Sequence, residues 1–291
     1  MKKILITGGS GLLGQYINIE AAKFFELLTM FNSNVGNCDK FNTVNANIKN
    51  FDSVKELFTS FKPDIVIHTA AITNPVPRPG QSSKEIYATN VNATKNIAKL
   101  CRQFNAKLIY TSTDLVYAGY RGSMLTEDAK LIPASLYAET KLVAEMKIKE
   151  TLENYLILRT ALLYGFGLSH SRSHFHKMND ELKNNKPVKL FTDQYRTPIE
   201  LSEASKIIIQ LARMDLMNET INVGGVERVS RFELGEILCS AAGYNKSLLQ
   251  KITIDELPKV PKVEDVSLNT GKLQSFGIKQ ETIKENILKL I

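Results

Sequence analysis

Tyr137 and Lys141 stand four residues apart in Tyr137-Ala-Glu-Thr-Lys141, the spacing that sets two side chains on one face of a helix. A phenol with an ordinary pKa of about 10 is a poor acid or base at neutral pH. An ammonium beside it favours the phenolate and brings the pKa towards the working range, so the pair can exchange a proton with a carbonyl or alcohol oxygen. On its own, such a pair is ordinarily surface decoration. Upstream, however, the apolar run 107–112 leads into Thr111-Ser112-Thr113-Asp114, which places hydroxyls and a carboxylate at the carboxyl end of a strand. Doubly wound sheets bind their ligands there. Thr113 can hydrogen-bond the oxygen of the group being interconverted.

A glycine loop, Gly8-Gly-Ser10-Gly11-Leu12-Leu13-Gly14, directly follows the first apolar run. Glycine stands where the chain must turn sharply, where backbone must approach a pyrophosphate and where helix must pack on strand. The phosphates of a dinucleotide would sit at the N-terminus of a helix starting near Leu12. Gly8, Ser10, Gly11, Leu12, Leu13 and Gly14 are therefore candidate cofactor contacts. The second strand ends in Phe31-Asn32-Ser33-Asn34, without the acidic residue that binds the ribose 2′-hydroxyl of NAD. No carboxylate repels a 2′-phosphate at Asn32 and Ser33, and Lys40 is a distant cation. This gives NADP(H) a slight preference over NAD(H).

These groups need a scaffold. Short apolar runs at 3–7, 27–31, 64–71, 107–112 and 155–159 alternate with amphipathic stretches at 12–25, 51–61, 83–104 and 135–150. The alternation predicts an α/β fold, a Rossmann-type doubly wound parallel sheet with helices on both faces, over residues 1–160. A strand near 220–224 would complete it. Residues 161–291 are expected to form mainly a small substrate-binding lobe, with helices at 175–184 and 202–213, a strand at 188–191 and two closing helices. Ser82 with Glu85 and Ser230 with Glu233 have capping-box spacing.

With 291 residues, 43% of them hydrophobic, the chain suits one large α/β domain, or one plus a small lobe, and not a disordered segment. The first strand begins too early for a leader peptide, and no apolar run reaches membrane-spanning length, so a cytoplasmic protein without membrane contact is expected. Cys38, Cys101 and Cys239 are odd in number and form no Cys-x-x-Cys pair, the pattern of reduced, mostly buried residues. The net charge of +7 comes from scattered lysines, which argues against nucleic acid and for a mild attraction of anionic ligands such as a dinucleotide or sugar nucleotide. His170, His174 and His176 crowd one loop without an acidic or cysteine partner in the sequence pattern. No metal is expected there, and a solvated or substrate-contacting loop is the preferred reading.

The order Thr7-Gly-Gly-Ser-Gly-Leu-Leu-Gly14, His68-Thr-Ala-Ala71, Asn90-Val-Asn-Ala-Thr94, Ser112-Thr-Asp114 and Tyr137-x-x-x-Lys141 resembles the extended short-chain dehydrogenases/reductases. Within them, the chain is most similar to dTDP-4-dehydrorhamnose reductase and its relatives. Arg159-Thr160-Ala-Leu-Leu-Tyr164-Gly165, Asp193-Gln194-Tyr-Arg-Thr-Pro198 and Ser267-Leu-Asn-Thr-x-Lys272-Leu273 extend the likeness over nearly the whole chain. The resemblance implies that Tyr137 gives a proton to the developing alkoxide. Lys141 would hold the nicotinamide ribose and depress the tyrosine pKa, and Thr113 would orient the keto oxygen. Asn90 would back the site from the long third helix, with His68 packed beneath the cofactor. Ala70, Ala71, Thr73, Asn47 and Ile48 join the cofactor set, the last two beside the adenine. Asp114, Leu162, His174 and Arg196 join the substrate set. The implied reaction is NAD(P)H-dependent reduction of the 4-keto group of a nucleotide-linked 4-keto-6-deoxyhexose, in activated deoxysugar and cell-surface polysaccharide biosynthesis.

Several positions depart from the family pattern. Leu162 replaces a tryptophan, removing an aromatic surface for the sugar, and His174-Phe175 replaces Asn-Phe. Thr73-Asn74-Pro75-Val76-Pro77-Arg78-Pro79 lacks the usual acidic residues; its prolines favour an extended loop, and Arg78 offers a fork for phosphate. The nucleotide and the sugar can thus differ from those of the dTDP-rhamnose pathway. Leu115 stands where sugar-nucleotide dehydratases carry glutamate, which sets that activity aside. A 4-epimerase stays open, although the short C-terminal lobe counts against it. So does a non-catalytic NADP-binding subunit, since the regulatory β subunit of methionine adenosyltransferase resembles the same subfamily. A homodimer is compatible with all three.

Overall fold

The computed structural model describes residues 1–74, 80–257 and 261–291. The phosphate fork expected of Arg78 and its proline-rich loop lies outside the described residues. Seven parallel strands form the main sheet. They are β1 (Lys3–Thr7), β2 (Glu26–Phe31), β3 (Thr43–Asn45), β4 (Ile65–His68), β5 (Lys107–Thr113), β6 (Tyr155–Thr160) and a last strand, Glu219–Val223. Their order across the sheet is Glu219–Val223, β6, β5, β4, β1, β2, β3. The order reverses direction beside β1, so the crevice at its carboxyl end is the natural ligand site of such a sheet.

Alternation along each strand explains the two covered faces. Ile4, Ile6, Ile65, Ile67, Ile109, Leu156 and Leu158 pack on one side against α1 (Gly14–Ala21) and α7 (Leu201–Arg213). Leu5, Val66, Leu108, Tyr110 and Ile157 pack on the other against α2 (Phe51–Phe61), α4 (Ala93–Gln103) and α5 (Leu136–Thr151). The strand predicted near 220–224 does join the sheet, beside β6. A smaller apolar core gathers α6 (His174–Lys183), α8 (Arg231–Ala242) and the closing helix Ile283–Leu290, with two short strand pairs, Val188–Phe191 on Leu249–Ile252 and Tyr195–Arg196 on Val229–Ser230.

Four expectations need correction. The first helix is shorter than 12–25 and begins at Gly14, because Leu12 and Leu13 belong to the phosphate-loop turn. The run 64–71 stops being a strand at His68, and the residues after it turn into the cleft. The long helix 83–104 is divided into α3 (Ser83–Tyr87), a π-helical turn at Ala88–Asn92 and α4. There Thr94 Oγ1 donates to the Asn90 carbonyl (2.7 Å), a side-chain bond of the kind that bends helices. The capping box at Ser230 and Glu233 is complete, whereas Ser82 only accepts from the Glu85 N–H (3.1 Å).

Candidate active site

A cleft of about 1210 Å³ runs along the carboxyl end of the sheet, from the β2 end to the smaller core. Gly8 turns it at φ +73°, and a Cβ there would sit 2.6 Å from the Ala70 nitrogen. At Gly14 a Cβ would sit 2.2 Å from the Gly8 carbonyl oxygen, so the loop closes only without side chains. A buried polar brace holds it from below. Asn18 Nδ2 donates to the Gly9 carbonyl and to Asn37 Oδ1 (both 3.0 Å), and Thr29 Oγ1 donates to Asn18 Oδ1 (2.8 Å). Among the described residues the backbone N–H groups of Leu12 and Leu13 have no acceptor. Free N–H groups at the start of a helix suit a diphosphate, so the loop fits the dinucleotide it was expected to hold.

Gly8, Ser10, Gly11, Leu12, Leu13, Gly14, Asn32, Ser33, Asn47, Ile48, Ala70, Ala71 and Thr73 all line the cleft. Asn32 Nδ2 donates to Ser33 Oγ (3.0 Å), and Asn47 Oδ1 accepts from the Lys49 N–H (2.9 Å). Lys40 does not line the cleft. It ends a separate 3-10 turn, and the cation that lines the cleft near Asn47 is Lys49. Asn90 is buried and outside the lining set. Its side chain accepts from the Ile72 N–H (2.8 Å) and donates to the Ile72 carbonyl and to Thr140 Oγ1 (both 3.0 Å). It therefore shapes the chain after β4 rather than facing the cleft. His68 is buried between Thr7 and Thr94 hydroxyls at 2.5 and 2.9 Å. Burial first, then the Lys141 charge, holds its pKa down at about 3, so it is neutral at pH 7.

At the middle of the cleft, Ser135 caps α5 by accepting from the Ala138 N–H (3.2 Å), which sets Tyr137 in the first turn and Lys141 one turn on. Thr113 faces them from β5. Its Oγ1 donates to Asp114 Oδ1 (3.1 Å) and accepts from the Leu115 N–H (3.3 Å). Lys141 is 2% exposed, and its Nζ lies 4.1 Å from the centre of the Tyr110 ring. Burial lowers its pKa to about 7 against the pull of Glu145. Burial, followed by the Asp114 carboxylate, pushes the Tyr137 phenol above its ordinary value, opposed by a hydrogen bond with Thr113. This corrects the expectation that Lys141 depresses it: the ammonium rests on Tyr110, and the charge acting on Tyr137 is Asp114. A raised pKa keeps the proton on Tyr137 at neutral pH, the state a proton donor needs.

Leu162, His174, Asp114 and Arg196 line the far end. Arg196 Nη1 pairs with Asp114 Oδ2 at 3.3 Å. Burial still raises the Asp114 pKa, with Arg196 the chief opposing influence. His174 is held down at about 4 by burial and by Arg231 and Lys177. His170 also lines the cleft, whereas His176 accepts from the Gly167 N–H (3.3 Å) through Nδ1. Among the described residues no three His, Cys, Asp or Glu side chains gather as a metal site, and no helix is long and apolar enough to cross a membrane.

The sequence profile described as the RmlD substrate binding domain matches residues 1–291. The protein belongs to this family. It is an extended short-chain dehydrogenase/reductase of the dTDP-4-dehydrorhamnose reductase-like subfamily. Methionine adenosyltransferase 2 subunit beta of Xenopus laevis is 28% identical over 288 residues, covering 97% of this chain and 84% of the relative. The dTDP-4-dehydrorhamnose reductase of Aggregatibacter actinomycetemcomitans is 25% identical over 293 residues, covering 96% and 94%. In fold, the chain superimposes on the crystal structure of dTDP-4-dehydrorhamnose reductase from Bacillus anthracis in complex with NADP. The TM-score is 0.86 at 23% identity, covering 100% and 99% of the two chains.

Sequence reasoning missed two parts of this RmlD-family site. Glu145, one turn beyond Lys141 on α5, is 1% exposed. It takes a hydrogen bond from Ser112 Oγ (2.5 Å) and a forked pair from Arg159 (Nη2–Oε2 2.8 Å). The Tyr137, Lys141, Glu145 spacing of four was a readable signal that one helix face was charged and inward. Arg231, at the start of α8, also lines the cleft. It falls between the family motifs of the sequence, and the capping-box spacing of Ser230 and Glu233 marked only a helix start there.

Proposed function

We propose that this RmlD-family protein reduces the 4-keto group of a nucleotide-linked 4-keto-6-deoxyhexose, with NADPH slightly favoured over NADH. Residues 1–160 and the strand at 219–223 would hold the dinucleotide, and residues 161–291 mainly the sugar nucleotide. One observation carries the reading: Tyr137 and Lys141 face Thr113 within the same cleft as a phosphate-binding glycine loop. The cofactor, when bound, supplies the hydride. Thr113 orients the keto oxygen, and Tyr137 gives that oxygen its phenolic proton, so the ketone becomes a secondary alcohol with charge balanced. Lys141 offers an ammonium to the nicotinamide ribose. Asn32 and Ser33 leave room for a 2′-phosphate because neither carries a charge that repels it.

The test is NADPH consumption with dTDP-, UDP-, GDP- and CDP-linked 4-keto-6-deoxyhexoses, alongside thermal stabilisation by the same ligands. Turnover with one of them is expected; a cofactor that binds while no keto sugar is reduced counts against the reading. The 28% identity to the methionine adenosyltransferase β subunit favours a second reading, a non-catalytic NADP-binding subunit. Stoichiometric co-purification with a partner enzyme and no turnover would select it.

A further inference from the structure

Three arginines line the cleft, and two have partners: Arg172 pairs with Asp180, and Arg196 with Asp114 at 3.3 Å. Arg231 has neither a hydrogen bond nor an ion pair among the described residues. Its position is well fixed. The strand pair Val229↔Arg196 and Ser230↔Tyr195 delivers it to the cleft wall, and the capping box of Ser230 with Glu233 (2.6 and 3.1 Å) anchors the turn that bears it. Arg228, three residues earlier, is tied to Asp265 (2.7 Å) and stacked 3.7 Å over the Tyr195 ring. The backbone on both sides of Arg231 is thus held while its own guanidinium is left free.

The surroundings of that guanidinium are cationic. Arg196 and Lys177 line the same end, and His174 beside them is neutral at pH 7. Asp114, the carboxylate in reach, already serves Arg196 and Thr113. Burial and then Arg196 lower the Arg231 pKa to about 10, which still leaves it charged at neutral pH. A planar cation with no acceptor on a cleft wall matches a planar oxyanion. The acceptor belongs close to the reacting carbon, because Asp114, within electrostatic range of Arg231, is hydrogen-bonded to Thr113 and acts on Tyr137.

We propose that Arg231 receives a carboxylate carried on the sugar ring, so that the preferred substrate is a nucleotide-linked keto sugar with an acidic substituent. The proposal rests on the nucleotide-sugar part of the reading above and amends its sugar, with a carboxylate where a 6-deoxyhexose carries its methyl group. The nearest phosphate of the diphosphate offers similar chemistry, and the test separates the two. With NADP⁺ present, titration calorimetry compares UDP-glucuronic acid with UDP-glucose, and dTDP-glucuronic acid with dTDP-glucose, on wild type, Arg231→Ala and Arg231→Lys. The wild type should prefer the acidic member of at least one pair by roughly tenfold or more, the scale of a charge-assisted hydrogen bond. That ratio should fall to about one in Arg231→Ala and be partly kept in Arg231→Lys, with NADP⁺ affinity reporting an intact fold in each. An equal loss for acidic and neutral partners places Arg231 on the diphosphate and overturns the carboxylate. So does a wild type without preference. If NADP⁺ binds and none of the four sugars does, the carboxylate proposal falls, while the reductase reading is decided separately by turnover with the dTDP-, UDP-, GDP- and CDP-linked 4-keto sugars.

Discussion

Helix α5 carries two sets of buried ionisable groups one turn apart, and they are completed differently. Around Glu145 each charge meets its complement: Arg159 makes a forked pair with the carboxylate, Ser112 donates to it, and Arg159 Nη1 reaches the Tyr117 hydroxyl (2.9 Å) and the Glu127 carbonyl (2.8 Å). Tyr117 in turn donates to Asn222 Oδ1 (2.8 Å), which ties β5, β6 and the last strand together. Burial alone would lower the Arg159 pKa, but Glu145 holds it above its ordinary value. Around Lys141 the ammonium has only the face of Tyr110, without a hydrogen bond or ion pair among the described residues. A buried charge left open in this way weakens the fold. On the proposed function the nicotinamide ribose completes it, in keeping with the tendency of perturbed groups to gather at functional sites.

If that contrast is right, the two sets respond in opposite senses to mutation. Tyr137→Phe keeps the packing and removes the proton, so keto-sugar turnover should fall by about 10²- to 10⁴-fold with NADPH affinity largely kept. Because burial raises the Tyr137 pKa, the alkaline decline of turnover that depends on this residue should lie above the ordinary tyrosine range. Unchanged turnover on a substrate the wild type demonstrably reduces would remove Tyr137 from the mechanism. Glu145→Gln leaves Arg159 buried without its counter-charge, and chemical denaturation should show a loss of about 3 to 5 kcal/mol. A loss below about 1 kcal/mol would dissolve the distinction between the two sets.

Lys141→Met should do the reverse and stabilise the cofactor-free protein by about 1 kcal/mol or more, while abolishing the stabilisation that NADPH confers. The sign follows from linkage. Lys141 titrates near 7 in the folded protein and at its ordinary 10.5 when unfolded. The unfolded chain therefore binds more protons between those values, and this residue makes stability rise with pH across that window. The variant should lose that rise; a cofactor-free Lys141→Met that melts lower than wild type counts against the open set. The smallest effect sits at the adenosine end, where Asn32→Asp should move preference towards NADH by about tenfold, or 1.4 kcal/mol. A wild type that already prefers NADH tenfold contradicts the reading of Asn32 and Ser33.

Much of the site was legible because its parts are local. The glycine loop, the Thr113-Asp114 strand end and the Tyr137–Lys141 turn each act through spacing within one element, and the structure brings all of them to one cleft. Asn90 was legible as a residue behind the site but not as a clamp on Ile72, since that bond crosses 18 positions and starts from within a π-helical turn. Lys40 looked like the nearest cation by sequence, yet folding places Lys49 on the cleft wall instead. The strand Thr43–Asn45 escaped notice because three residues, one of them apolar, show no periodicity.

Apolar alternation and turn chemistry in the sequence were enough to determine the layered sheet, since burying both faces of a parallel sheet leaves few other arrangements. They also fixed the register of Tyr137 and Lys141 on α5. The electrostatic state of those residues was decided only by tertiary structure. A pKa depends on burial and on charges brought together across the chain, and it is the approach of Asp114 to Tyr137, of Tyr110 to Lys141 and of Arg231 to Arg196 that settles which groups hold protons and which still lack a partner.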